Sequence, residues 1–180
     1  MRVLLAYATT EGQTRKVAEF AADRLTGLGH QVSVVPVGEA AAPLPAFDAA
    51  VLAGSVHLGR FQSPLEAFAR RAAPALNACP SLFLSVSLSA AGDDPEDWAG
   101  LERILARFTE DTGFRPGRVV HVAGAFRFSE YDFFRSWAMR WIASQKGVSV
   151  DPRTDLELTD WPALERDVTD WAATATAAVP

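Results

Sequence analysis

The sequence predicts an α/β protein, a three-layer sandwich with helices on both faces of a five-stranded parallel sheet in the order 2-1-3-4-5. Three observations predict it. Short apolar runs rich in Val, Leu and Ala alternate with longer stretches whose apolar residues recur at three- and four-residue spacing. The runs are apolar on consecutive positions, as strands covered on both faces must be. The first run passes through a polar, hydroxyl-rich turn directly into a helix, the arrangement by which α/β proteins present backbone N–H groups and a positive dipole end to an anion.

The elements follow in order. Arg2 to Ala8 is a buried strand, and Thr9-Thr10-Glu11-Gly12-Gln13-Thr14 is the turn. The helix after it carries Val17, Phe20, Ala21, Leu25 and Leu28 on one face, and Gly29 is its stop. His30 to Val37 is a second strand, and Pro43-Leu44-Pro45 marks a loop. Ala49 to Ala53 is a third strand ending in Gly54-Ser55, with Val56 to Phe61 expected to be irregular. Ser63-Pro64-Leu65-Glu66 reads as a capping serine, a first-turn proline and a capping glutamate. Leu65, Phe68, Ala69, Ala72 and Leu76 then face inward, and Pro74 kinks or ends that helix. Ser81 to Leu88 is a fourth strand and Ser89 to Asp94 a loop. Asp94-Pro95 opens a helix carrying Trp98, Leu101, Ile104, Leu105 and Phe108. Gly113 to Gly117 turns into a fifth strand, Arg118 to Ala123. Asp160 and Pro162 open a last helix with Leu164, Val168 and Trp171 inward, and Ala172 to Pro180 are expected to fray.

Composition narrows the function. The 180 residues suit one domain, residues 1–180, and no internal repeat or linker interrupts them. No apolar run is long enough to span a bilayer, and no secretory signal is visible at the start, so a cytoplasmic protein is expected. Cys79, the one cysteine, excludes an intramolecular disulfide. His30, His57 and His121 are scattered, so no metal site is expected. A net charge of −5 argues against nucleic-acid binding. Neither G-x-x-x-x-G-K-[ST] nor G-x-G-x-x-G occurs, which argues against a triphosphatase and a dinucleotide fingerprint.

With the sheet ordered as predicted, the segments Thr9–Thr14, Ser55–Phe61 and Ser87–Asp94 gather at the carboxyl ends of the strands. The first is a candidate anion site. His57, Leu58 and Phe61 are candidate contacts for a flat ring, and the backbone of Ser87 to Gly92 could bond the ring's polar edge. A further segment, Ala125 to Gly147, crowds Phe126, Phe128, Tyr131, Phe133, Phe134, Trp137, Met139, Trp141 and Ile142 among Arg127, Arg135, Arg140 and Lys146. Three readings stay open for it: core packing, a wall for a large flat substrate, or a basic-aromatic helix, 131–146, resting on a membrane or a partner.

The turn resembles the phosphate loop of the flavodoxins, T-x-T-G-x-T, with Thr9, Gly12 and Thr14 matching and Glu11 at the second threonine. Nearly end to end, the chain resembles one branch of these flavodoxin-like proteins, the bacterial FMN- and menaquinone-dependent protoporphyrinogen dehydrogenases. The likeness rests on Glu11 to Arg15, Gly54 to Phe61 with Ser63, Ser85-Val86-x-Leu88, Ala123-Gly124-Ala125-x-Arg127 and its aromatic continuation, and Asp151-x-Arg153 with Thr159-Asp160-Trp161. From the residues themselves, Trp161 reads as packing and Asp151-x-Arg153 as an ion-paired turn. The segment 89–98 departs from the branch by carrying Asp93, Asp94, Glu96 and Asp97.

The resemblance implies an FMN-dependent oxidoreductase of haem biosynthesis that oxidises a porphyrinogen and passes electrons to a quinone. It implies FMN contacts from Thr9, Thr10, Glu11, Gly12, Gln13 and Thr14, from Ser55, Val56, His57, Leu58 and Gly59, and from Ser87, Leu88, Ser89 and Ala90. His57 would relay a proton, and Arg127 would pair with a propionate or the flavin phosphate. Two other readings remain: an electron carrier with protein partners, and a flavin-free interaction module.

Overall fold

A computed structural model describes residues 1–38, 44–126 and 156–179. The candidate Arg127, the basic-aromatic stretch 131–146 and the Asp151-x-Arg153 turn lie outside the described residues.

Strands β1 (Arg2–Ala8), β2 (Gln31–Pro36), β3 (Ala49–His57), β5 (Ser81–Ser87) and β6 (Arg118–Ala123) form a parallel sheet in the order β2-β1-β3-β5-β6. For the five long strands this is the expected order. A short β4 (Arg60–Phe61) pairs antiparallel with β3 and adds a sixth strand off that path. The alternation of side chains sorts the sheet into two faces. Val3, Leu5, Val51, Leu82 and Leu84 face α1 (Gln13–Gly27) and, late in the chain, α4 (Trp161–Ala178). Leu4, Ala6, Ala50, Leu52 and Phe83 face α2 (Ser63–Leu76) and α3 (Pro95–Thr112). Beneath α2 and α3, the rings of Phe61, Phe83 and Phe108 meet pairwise at 4.9–5.1 Å. A further antiparallel pair, β7 (Ala125–Phe126) and β8 (Leu156–Glu157), brackets the aromatic stretch.

Local signals placed most boundaries. Gly29 takes φ 85°, and the His30 N–H reaches back to the Leu25 carbonyl at 3.1 Å, closing α1 with a left-handed stop. The Asp94 carboxylate accepts the Glu96 N–H at 2.8 Å, and that of Asp160 the Ala163 N–H at 2.9 Å, so both expected caps form. Pro74 sits in the last turn of α2, which ends two residues later at Leu76.

Several expectations are corrected. The stretch Val56 to Phe61 is a regular hairpin: Val56 pairs with Phe61 and His57 with Arg60. Its two-residue loop, Leu58 (φ 50°) and Gly59 (φ 74°), has positive φ at both centres, the requirement of the turn that matches strand twist. Gln62 rather than Ser63 caps α2, with its carbonyl accepting the N–H groups of Leu65 and Glu66. Leu28 is 48% exposed, because α1 ends at Gly27 and Leu28 has already left the inner face. Residues 172–178 do not fray: Ala172 and Ala175 are buried against the α1 face of the core, which carries α4 on to Ala178. Among the described residues, no helix is long and apolar enough to cross a membrane.

Candidate functional site

The strand order reverses at β1, where the chain goes first to β2 on one side and then to β3 on the other, so a crevice opens beyond the carboxyl ends of β1 and β3. Register brings the candidate segments to that edge. Ala8, the last residue before the Thr9 turn, lies opposite Gly54, and Ser55 opposite Val86.

The turn itself is tightly organised. Gly12 adopts φ 93°, which an L side chain rarely takes, and its N–H donates to Thr9 Oγ1 at 2.9 Å. Thr10 is exposed and its Oγ1 accepts from Gln62 Nε2 at 3.2 Å. Glu11 is half-buried and precedes the helix, whose first turn holds no acidic residue. No carboxylate inside the first turn offsets the positive end of the α1 dipole, and the first N–H groups of a helix have no acceptor within it. Gln13 is buried, with Nε2 donating to Thr159 Oγ1 at 2.8 Å. Thr14 is 1% exposed, and its Oγ1 has no hydrogen-bond partner. A buried hydroxyl left unpaired is costly, so an orphan at a helix N-terminus is a candidate partner for a ligand oxygen.

Beside this turn stands the β3–β4 hairpin. Ser55 Oγ is bonded by Gln62 Nε2, so one amide ties the end of β3 to Thr10. Val56 and His57 are half-buried as the last two residues of β3, while Leu58 at the tip is 75% exposed. A leucine held at positive φ costs about 1 kcal/mol, and it presents an apolar side chain at the crevice.

The third segment is a single 3-10 turn, Ser89–Ala91. Ser87 Oγ accepts the Ala90 N–H at 3.2 Å, Leu88 O that of Ala91 at 3.0 Å, and Ser89 O that of Gly92 at 3.3 Å. The expectation that this stretch offers its backbone to a ring edge is therefore narrowed, because the turn engages those three N–H groups. Trp98 Nε1 donates to the Gly92 carbonyl at 2.8 Å and closes the loop onto α3. The acidic run that follows belongs to α3: Asp94 caps it and Glu96 and Asp97 occupy its first turn, where carboxylates offset the helix dipole.

Sequence reasoning missed two residues. Gln62 joins the first two segments, with Oε1 also buried and unpartnered. Thr159 holds Gln13 and donates to the Ala123 carbonyl at 2.7 Å. Neither had a signal for this role in local spacing, since their partners lie up to 146 residues away. Nearby, Glu157 accepts from Lys16 Nζ at 3.0 Å and from Trp161 Nε1 at 2.8 Å, and the Lys16 ammonium in particular lowers its pKa. The Trp161 ring lies 4.9 Å from that of Phe20, which bears out its reading as packing.

A family profile described as a flavodoxin domain matches residues 4–152. The protein of Escherichia coli (strain K12) named protoporphyrinogen IX dehydrogenase [quinone] is 32% identical over 163 residues, covering 89% of each chain. Among solved structures, a short-chain flavodoxin associated with a bacterial microcompartment superposes with a TM-score of 0.57 at 14% identity, covering 97% of this chain and 99% of its own. A Fusobacterium nucleatum flavodoxin mutant bound to flavin mononucleotide superposes with a TM-score of 0.54 at 13% identity, covering 99% and 97%. At these identities the structural likeness speaks for the fold.

Proposed function

We infer the function from a plain premise: the chain belongs to the flavodoxin domain family, in the branch of the protoporphyrinogen IX dehydrogenases. It is an FMN-dependent oxidoreductase that oxidises a porphyrinogen, protoporphyrinogen IX, with a quinone as electron acceptor. The observation that carries the cofactor is the unpartnered Thr14 hydroxyl, 1% exposed in the first turn of a helix whose dipole no first-turn acid offsets. The substrate and acceptor rest on the likeness to the E. coli relative.

FMN, when bound, supplies the redox chemistry, accepting electrons from the porphyrinogen and passing them to the quinone. The chain's own residues bind, orient and shield. Thr9, Thr10, Glu11, Gly12, Gln13 and Thr14 form the phosphate turn, with the Thr14 hydroxyl and the first N–H groups of α1 as donors and Gly12 allowing close approach. Ser55, Val56, His57, Leu58 and Gly59 flank one side of the ring, where the exposed Leu58 side chain excludes water. Ser87, Leu88, Ser89 and Ala90 flank the other. His57 holds and releases a proton at its imidazole. Arg127, from outside the described residues, pairs with a propionate or the phosphate. The basic-aromatic stretch 131–146, outside the described residues, is the candidate for a contact with the inner membrane face, where a lipid-soluble quinone would be met.

The test is the visible spectrum of the protein after adding FMN, followed by an anaerobic assay with protoporphyrinogen IX and a menaquinone analogue. Flavin bands and quinone-dependent porphyrin fluorescence are expected. A protein that binds FMN but oxidises no porphyrinogen would be left as an electron carrier. One that takes up no FMN would leave only the interaction module.

A further inference from the structure

The phosphate turn is fastened from the far end of the chain. Thr159 is buried, and its single hydroxyl does two things at once. It donates to the carbonyl of Ala123, the last residue of β6, at 2.7 Å, and it accepts from Gln13 Nε2 at 2.8 Å. A hydroxyl has one proton to give, so donating it to the carbonyl obliges the oxygen to act as acceptor toward Gln13. The Gln13 amide is thereby oriented with its nitrogen toward Thr159.

Gln13 is the first residue of α1, and Thr14, whose orphaned hydroxyl defines the anion site, is the next. A second tie lies one turn along, where Lys16 Nζ meets the Glu157 carboxylate at 3.0 Å. Ala123 is meanwhile in register with Ser87, and the adjoining Gly124 N–H donates to the Ser87 carbonyl at 2.9 Å. One hydroxyl thus joins the first turn of α1 to the strand end that also supports the Ser87–Ala90 turn.

We propose that Thr159 is a positioning residue for the cofactor phosphate, holding the first turn of α1 in the orientation that aims Thr14 Oγ1 and the helix N–H groups at a bound anion. This rests on the FMN reading above. Hydrogen bonds to an anion are directional, and a turn fixed beforehand binds more tightly than one that must be ordered by the ligand. The Gln13 side chain is engaged by Thr159 and by Glu157, which leaves anion recognition to its neighbours.

The experiment compares FMN with riboflavin, which has the same ring and no phosphate, by flavin fluorescence titration of the full chain. In Thr159→Val the hydroxyl is lost and the shape kept. The Kd for FMN is expected to rise about tenfold, the scale of one or two lost hydrogen bonds, while that for riboflavin changes less than about twofold. Thr159→Ser, which restores the hydroxyl, is expected to recover FMN affinity. Equal losses for both flavins, or no change for FMN, overturn the proposal and leave Thr159 a residue of the core. If Thr159→Val does not unfold cooperatively, Gln13→Met, which removes the other end of the bond, decides by the same ratio. A wild-type protein that binds FMN no better than riboflavin sinks the phosphate site itself, and that outcome is seen before any variant is made.

Discussion

Thr14→Val separates what the flavin-free protein wants from what the ligand wants. Thr14 Oγ1 is buried without a partner, so the folded chain bears the desolvation of a hydroxyl and recovers nothing for it. Such a group costs about 1–3 kcal/mol. Valine keeps the branched shape, and its helix propensity is close to that of threonine. The flavin-free variant is therefore expected to be more stable by about 1 kcal/mol, a rise of about 2–4 °C in Tm for a chain of this size. Binding runs the other way. A hydroxyl bonded to a charged phosphate contributes about 1.5–3 kcal/mol, so the Kd for FMN should rise about tenfold to a hundredfold, with riboflavin affinity unchanged. Urea unfolding of the flavin-free protein and flavin fluorescence titration read the two effects on one preparation. The reasoning is refuted if the flavin-free variant is destabilised by about 1 kcal/mol or more, since the hydroxyl must then have a partner. It is refuted equally if FMN affinity does not change.

Two further perturbations test the frame around the site. A Cβ at Gly54 would lie 2.2 Å from Leu65 Cδ2 and 3.3 Å from Phe61 Cδ1, so Gly54→Ala should destabilise by about 1–3 kcal/mol through overpacking. An unchanged urea midpoint at unchanged slope would show that α2 shifts freely. Asp48 accepts the Arg2 N–H at 2.7 Å and meets Arg2 Nη2 at 2.5 Å, which holds its pKa down to about 2. Because the folded value lies below the ordinary carboxylate range, this tie is complete above about pH 4 and fades as pH falls toward 2. Asp48→Asn should therefore flatten the loss of stability over that interval, and a slope identical to wild type would count against the tie.

Much of this molecule was legible in its residues one stretch at a time. Continuous apolar runs named the five long strands, and three- and four-residue spacing named the helices. Gly29, Asp94 and Asp160 marked ends because the chemistry of a stop or a cap lies within a few positions of the residue that provides it. The hydroxyl-rich turn at Thr9 to Thr14 was recognisable for the same reason. Tertiary structure decided the rest. A leucine at positive φ is against local preference, so the Leu58-Gly59 hairpin is supported from outside its turn, by the pairing of β4 with β3 and by Phe61 packing against Phe83 and Phe108. That Gln62 bridges Thr10 and Ser55, that Gln13 turns to Thr159, and that Thr14 is left with nothing depend on which strand ends lie side by side. Periodicity and capping act over a few residues and are written in the order of the chain. The partner of a buried polar group is set by register between segments distant in sequence, and no local pattern records it.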